Sequence, residues 1–250
     1  MQDQQLIGSA IKRTNIRFDL KIIADLIEEN SKVLDIGCGS GELLQYLKTN
    51  KNVDGRGLEI LQSDVSKALS KGISVMQGNA DNDLAYYPDD SFDYAILSQT
   101  LQATKNPQEI VVQMLRIAKF AIISFPNFAH YKNRFYLFAK GKMPVSETIP
   151  YRWYDTPNIH FCSIRDFREL CAKMKFTIKK SIYLTNDRKL GRFMGSEITA
   201  NFFAEYGLFL ISKNEINLAT QHQIITDKKS DLLISSGNRP AFANSQNSYQ

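Results

Sequence analysis

The stretch that most constrains this chain is Val33-Leu34-Asp35-Ile36-Gly37-Cys38-Gly39-Ser40-Gly41-Glu42. A short apolar run carries an acid near its end, three glycines follow at alternate positions, and a helical pattern resumes at Glu42. Glycine lets a backbone turn sharply and approach a ligand closely. The spacing is G-x-G-x-G, neither the G-x-G-x-x-G of dinucleotide folds nor the G-x-x-x-x-G-K of phosphate loops. No lysine is placed to hold a phosphate. Asp35 would repel a pyrophosphate and attract an ammonium group.

The segments after this loop continue the same alternation. Gly55–Ile60, Ile73–Gln77, Phe92–Ser98 and Phe120–Phe125 read as strands, with helical patterns between them. Before the loop, Lys32–Ile36 is a strand and Asp19–Glu29 an apolar-striped helix. Glu42–Lys48 and Ser63–Lys71 are helical, and Gly72 fits a C-terminal cap. Asn106-Pro107 opens a helix that runs to about Lys119. Ser163 caps another, with Asp166 completing an acidic capping box. Thr177–Leu184 and Tyr206–Ile211 close the pattern as strands. This rhythm predicts a three-layer αβα sandwich around a seven-stranded, mostly parallel sheet.

In such sheets ligands bind beyond the carboxyl ends of the strands. Glu59 ends the second strand, 18 residues after Gly41, where an acid can accept from both ribose hydroxyls. Asn79 or Asp81, after the third strand, is placed to accept from an adenine amino group; each also reads as a turn former. Ser98 and Gln99 end the fourth strand and face the same crevice, unless Ser98 only terminates the strand. An acid beside a glycine loop and a second acid at the ribose position favour a zwitterion with an adenosine half: S-adenosylmethionine, or its product S-adenosylhomocysteine. The site set is therefore Asp35, Gly37, Gly39, Gly41, Glu59, Asn79, Asp81 and Ser98. Cys38 reads as a small loop residue, since no basic neighbour would activate its thiol.

Composition narrows the class. With 43% apolar and 23% charged residues, the chain is an ordinary globular protein. No run approaches about 18 apolar residues, so no spanning helix is expected, and the first residues lack a secretory pattern. Three cysteines without a CxxC spacing argue against a zinc site or a disulfide framework, and for a reducing, cytoplasmic compartment. The net charge of +5 is scattered apart from a modest cluster between Lys132 and Lys142. No nucleic-acid partner is expected from it.

The blocks VLDIGCGSGELLQYL, GLEI, QGNADNDL, SFDYAILSQTLQA, SFPNF and YDTPNIHFC together resemble the MetW family, over about residues 15 to 213. The resemblance implies a Rossmann-like class I methyltransferase fold with an antiparallel last strand. It also implies a role in methionine biosynthesis beside homoserine O-acyltransferase, with which such proteins are associated. The sequence departs from the family at Asn79, where aspartate is expected; asparagine keeps an acceptor oxygen and loses charge. The alternative is an active methyltransferase on a small-molecule acceptor. Its candidate bases lie in His130, Tyr154, Asp155 and His160, with no catalytic residue assigned.

Residues 1–213 are expected to form the methyltransferase-like domain and 214–250 a polar, disordered tail. Within the domain, Asn127–Cys162 is a long, irregular insertion holding nine of the 27 aromatic residues. It reads as a partner face, ordinary core or a substrate lid, with Trp153 and Tyr154 as candidate interface anchors.

Overall fold

In the computed structural model of the chain, residues 16–185, 188–189 and 197–214 are described. The first 15 residues and the expected tail from residue 215 onward lie outside them.

The strands are β1 (Lys32–Ile36), β2 (Asp54–Glu59), β3 (Ser74–Gln77), β4 (Phe92–Ser98), β5 (Ala118–Pro126), β6 (Thr177–Thr185), β7 (Arg188–Lys189) and β8 (Tyr206–Ser212). They form one sheet in the order β3-β2-β1-β4-β5-β8-β6-β7. The seven expected strands are present, β8 runs antiparallel to β5 and β6, and two-residue β7 adds a hairpin edge. Strands β1 to β5 run parallel to one another. The order reverses at β1, flanked by β2 and β4, so the loops after β1 and β4 diverge and open a crevice.

The helices are α1 (Phe18–Asp25), α2 (Glu42–Lys51), α3 (Gln62–Ser70), α4 (Ala80–Asp83), α5 (Pro107–Ile117), α6 (Tyr131–Lys140), α7 (Ile164–Lys173) and α8 (Glu197–Phe203). Alternation along the strands sends successive side chains to opposite faces. One face buries Val33, Tyr94, Ile96, Ile122 and Leu208 against Ile23 of α1, Leu43 and Leu47 of α2 and Ala68 of α3. The opposite face carries Phe125 of β5 and Phe209 of β8, stacked at 5.8 Å between ring centres. Phe167 of α7 packs on both, at 5.1 and 4.9 Å. The start of α5 adjoins the end of α7, where Gln108 Nε2 donates to Met174 Sδ at 3.3 Å. Helices α5 and α7 thus form the third layer. None of the described helices is long and apolar enough to cross a membrane.

Several boundaries differ from expectation. Helix α1 stops at Asp25 rather than Glu29, because Leu26 and Ile27 turn back on the Ile23 and Ala24 carbonyls. Helix α5 stops at Ile117 and β5 starts at once at Ala118. Asn106 occupies the N-cap position of α5 without a side-chain capping bond. The Ser163–Asp166 capping box of α7 is formed in both directions.

The larger correction is α6, a ten-residue helix in the insertion expected to be irregular. The segment YKNRFYLFAK contains no proline, and Gly141 ends it in the left-handed region at φ +58°. Its apolar residues do not fall into a stripe, and only Asn133 is buried.

Phe209 is fully buried and packs on the rings of Phe125 and Phe167. Phe209→Ala should cost about 3–5 kcal/mol of stability, read as an earlier midpoint in urea unfolding. A loss below about 1 kcal/mol would mean the two rings collapse onto the cavity.

Candidate functional site

Two adjoining cavities lie along the carboxyl ends of β1, β2 and β4. The larger, about 390 Å³, is lined by Arg17, Asp35, Gly39, Glu42, Ser98 and Gln99 among others. The smaller, about 220 Å³, is lined by Leu58, Glu59, Gly78, Asn79, Asp81 and Thr100 among others. Gly37 lines both and marks their junction. Together they fall in the size range of small-molecule sites, about 300–1,000 Å³.

The glycine loop is held from beneath by β2. The Leu58 carbonyl accepts from the amides of Gly37 (2.7 Å) and Cys38 (3.3 Å). Glu59 Oε2 accepts from the Gly39 amide at 2.8 Å and Oε1 from the Leu61 amide at 2.9 Å. Glu59 is buried, at 7% exposure, so it is no solvated strand end. Each carboxylate oxygen keeps a further lone pair for a hydroxyl donor. Gly39 sits at φ +52°, and a Cβ there would project into open space. Gly37, at φ +71°, has no room: a Cβ would meet Thr100 Oγ1 at 2.7 Å.

The other expected residues separate into two groups. Asp35 and Ser98 line the larger cavity, and Ser98 Oγ pairs with Ser124 Oγ at 3.2 Å. Asn79 and Asp81 line the smaller one, where both also hold local backbone. Asn79 caps α4 by accepting from the Asp81 amide at 3.0 Å. Asp81 Oδ1 accepts from the amides of Lys105 and Asn106 at 3.0 and 3.1 Å. Gly41 lines neither cavity. It is the N-cap of α2, and its missing side chain faces Ala68 of α3, where a Cβ would come to 3.2 Å. Its place is fixed by packing.

Asp35 is 3% exposed, and no cation pairs with it among the described residues. Burial first, and then the Glu59 carboxylate, pushes its pKa up to about 7. Burial likewise pushes the Cys38 thiol well up, so it is a poor nucleophile at neutral pH. Of the candidate bases, His130 is buried at the start of α6, and burial holds its pKa down. His160 is exposed, with Nε2 3.2 Å from the Lys105 carbonyl. Neither histidine lines either cavity.

Gln99, which the sequence sets at this crevice beside Ser98, lines the larger cavity, and so does Arg17, which sequence reasoning missed. Arg17 pairs with Asp19 through two bonds of 2.7 and 2.8 Å, and Gln99 Nε2 donates to the same carboxylate at 2.8 Å. Gln99 adopts φ +51°, a left-handed conformation that non-glycine residues rarely take.

The family described as "Methionine biosynthesis protein MetW" matches residues 17–211. The chain belongs to the MetW family. The bifunctional methionine biosynthesis protein MetXA/MetW of Rhodopirellula baltica is 33% identical over 182 residues, covering 69% of this chain. The match spans only 29% of that relative's length. Among solved structures, an S-adenosylmethionine-dependent methyltransferase from Mesorhizobium loti aligns with a TM-score of 0.58 at 14% identity, over 80% of this chain and all of that one. A methyltransferase from Archaeoglobus fulgidus gives 0.57 at 16%, covering 78% and 91%. The [4+2]-cyclase SpnF gives 0.56 at 17%, covering 78% and 80%. The MetW chain therefore has the Rossmann-like class I methyltransferase fold. A cyclase among these neighbours illustrates that the fold hosts more than one chemistry.

Two outcomes follow from the carboxylates. Glu59→Gln turns one acceptor into an amide that confronts a backbone N–H, either Gly39 or Leu61. It should cost about 1–3 kcal/mol, lowering the melting temperature by several degrees; an unchanged melt would remove Glu59 from the support of the loop. The Asp35 pKa is raised by folding, so its stabilising contribution is complete below about pH 4. It is lost as pH rises towards and through about 7. The full effect is at most roughly 4 kcal/mol. Asp35→Asn should then match the parent in acid and exceed it in stability near pH 8; parallel stability curves would contradict this.

Proposed function

We propose that this MetW protein binds S-adenosylmethionine or S-adenosylhomocysteine in the double cavity and acts with homoserine O-acyltransferase in methionine biosynthesis. The observation that carries the second half is the relative whose name joins MetXA and MetW in one chain. A fused arrangement keeps two activities at high effective concentration.

The residues present fit the ligand. Gly39 offers an open cradle that any Cβ would enter. Asp35 and Glu42 suit an ammonium group in the larger cavity, and Arg17 beside them suits a carboxylate. Glu59, braced by two amides, has acceptor capacity left for the ribose hydroxyls. The adenine would lie in the smaller cavity near Asn79 and Asp81. When bound, S-adenosylmethionine would supply a transferable methyl group, or the presence of either ligand would serve as a signal of methionine supply. In this reading the chain's residues bind and orient it, and the protein works in the cytoplasm.

The signal reading is the better supported. Neither histidine candidate for a base lines the cavities, although methyl transfer asks mainly for alignment. An autonomous methyltransferase acting on a small molecule remains the competing reading.

The decisive assay measures acyl transfer to homoserine by the purified acyltransferase, with and without the MetW chain, while S-adenosylmethionine is titrated. A rate that changes on adding the chain, with a ligand dependence abolished by Gly39→Val, is the expected result. An unaltered acyl-transfer rate, together with steady S-adenosylhomocysteine production by the chain alone, would favour the methyltransferase.

A further inference from the structure

Eighteen large apolar side chains are exposed among the described residues, and eleven of them lie between Phe135 and Phe161. Phe138 is 90% exposed, Trp153 73%, and Phe135 and Tyr154 61% each. Surface apolar residues scattered singly need no explanation, but a concentration of this kind marks an interaction site. Fully buried aromatic side chains cover about 150–250 Å² each. These four rings alone therefore offer on the order of 500 Å², against about 800 Å² per partner in a standard interface.

Helix α6 is the least supported part of this surface. A ten-residue helix is marginal by itself. Its first turn is anchored, with Tyr131 ring centres 5.8 Å from those of Phe202 and Phe203 and Asn133 bonded to the Phe128 carbonyl. Its second half, through Phe138 and Lys140, is exposed throughout.

The surface is also basic. Between residues 131 and 161 the sequence carries Lys132, Arg134, Lys140, Lys142 and Arg152 against Glu147 and Asp155. Lys132 pairs with Glu205 at 3.8 Å, whereas Lys140 and Lys142 are exposed with no acidic partner among the described residues. This charge selects the occupant. A second copy would bring the same lysines together across an isologous contact, which is unfavourable. The chain's own residues 215–250 balance Glu215, Asp227 and Asp231 with Lys228, Lys229 and Arg239, and offer no complementary charge.

We infer that α6 and residues 143–161 form the docking surface for homoserine O-acyltransferase, an exposed basic and aromatic face suited to an apolar surface rimmed with acids. This rests on the functional reading above and gives it a location. The same segment reaches the ligand cavities: the Gln102 carbonyl accepts from the Ile159 and His160 amides at 2.8 and 3.0 Å. Gln102 Nε2 in turn donates to the carbonyl of cavity-lining Gln99 at 2.7 Å.

The test uses the full chain and the separately purified acyltransferase of the same organism, with association measured by biolayer interferometry and analytical ultracentrifugation. Phe138→Ser combined with Trp153→Ala should weaken binding at least about thirtyfold with an unchanged circular dichroism melt, since both side chains are exposed. Lys140→Glu with Lys142→Glu should slow association and flatten its dependence on salt. Tyr86→Ala and Leu69→Ala, exposed on elements other than α6 and residues 143–161, should leave binding intact. Unaltered binding by the face variants would overturn the docking surface alone. Failure of the parent chain to bind the acyltransferase would overturn both the surface and the functional reading. Two further results would assign the face elsewhere: a parent homodimer that these variants dissociate, or loss of binding to phosphatidylcholine–phosphatidylglycerol vesicles with acyltransferase binding preserved.

Discussion

The end of β2 holds the glycine loop in shape. One carbonyl, Leu58, and one carboxylate, Glu59, take the amides of Gly37, Cys38 and Gly39. These bonds fix where the chain leaves β1, and therefore how wide the crevice opens between the β1 and β4 loops. They also bury a carboxylate close to Asp35, which raises the cost of ionising Asp35. The protein thus maintains an acidic pocket that a cationic group would relieve. Shape and electrostatics of the cavity come from the same few bonds.

Much of the fold was legible in the chain because each layer has its own period. Strands β4 and β5 are nearly continuous apolar runs, and helices α2, α3 and α5 bury an apolar side. The glycine loop was legible for the same reason: few other spacings let a strand turn directly into a helix. What could not be read were relations between distant segments. Nothing local says that Glu59 reaches back to Gly39, that Gly41 faces Ala68, or that Arg17, Asp19 and Gln99 meet at the cavity wall. Helix α6 was missed for a different reason. Its residues favour a helix, but its apolar side chains are not arranged to bury one side, so periodicity gave no signal.

That absence of a buried side joins the two halves of the functional reading. In the proposed function, the outward-facing aromatic residues of α6 serve association and the sheet ends hold a small zwitterion. The segment from Gln99 to Asn106 lies between them. It lines both cavities, holds Asp81 through the Lys105 and Asn106 amides, and receives the Ile159 and His160 amides. A ligand and a partner that both bias this segment would be thermodynamically coupled, and the coupling would be reciprocal.

The central claim is that the glycine crevice is built for a cationic zwitterion whose ammonium group meets Asp35. Calorimetric titration of the full chain with S-adenosylmethionine at about pH 6.5, in two buffers of different ionisation enthalpy, tests it directly. Asp35 is then largely protonated in the free chain, so binding should be one to one and release most of a proton. The release should vanish in Asp35→Asn. Absence of binding, or binding with no proton released, would contradict the claim.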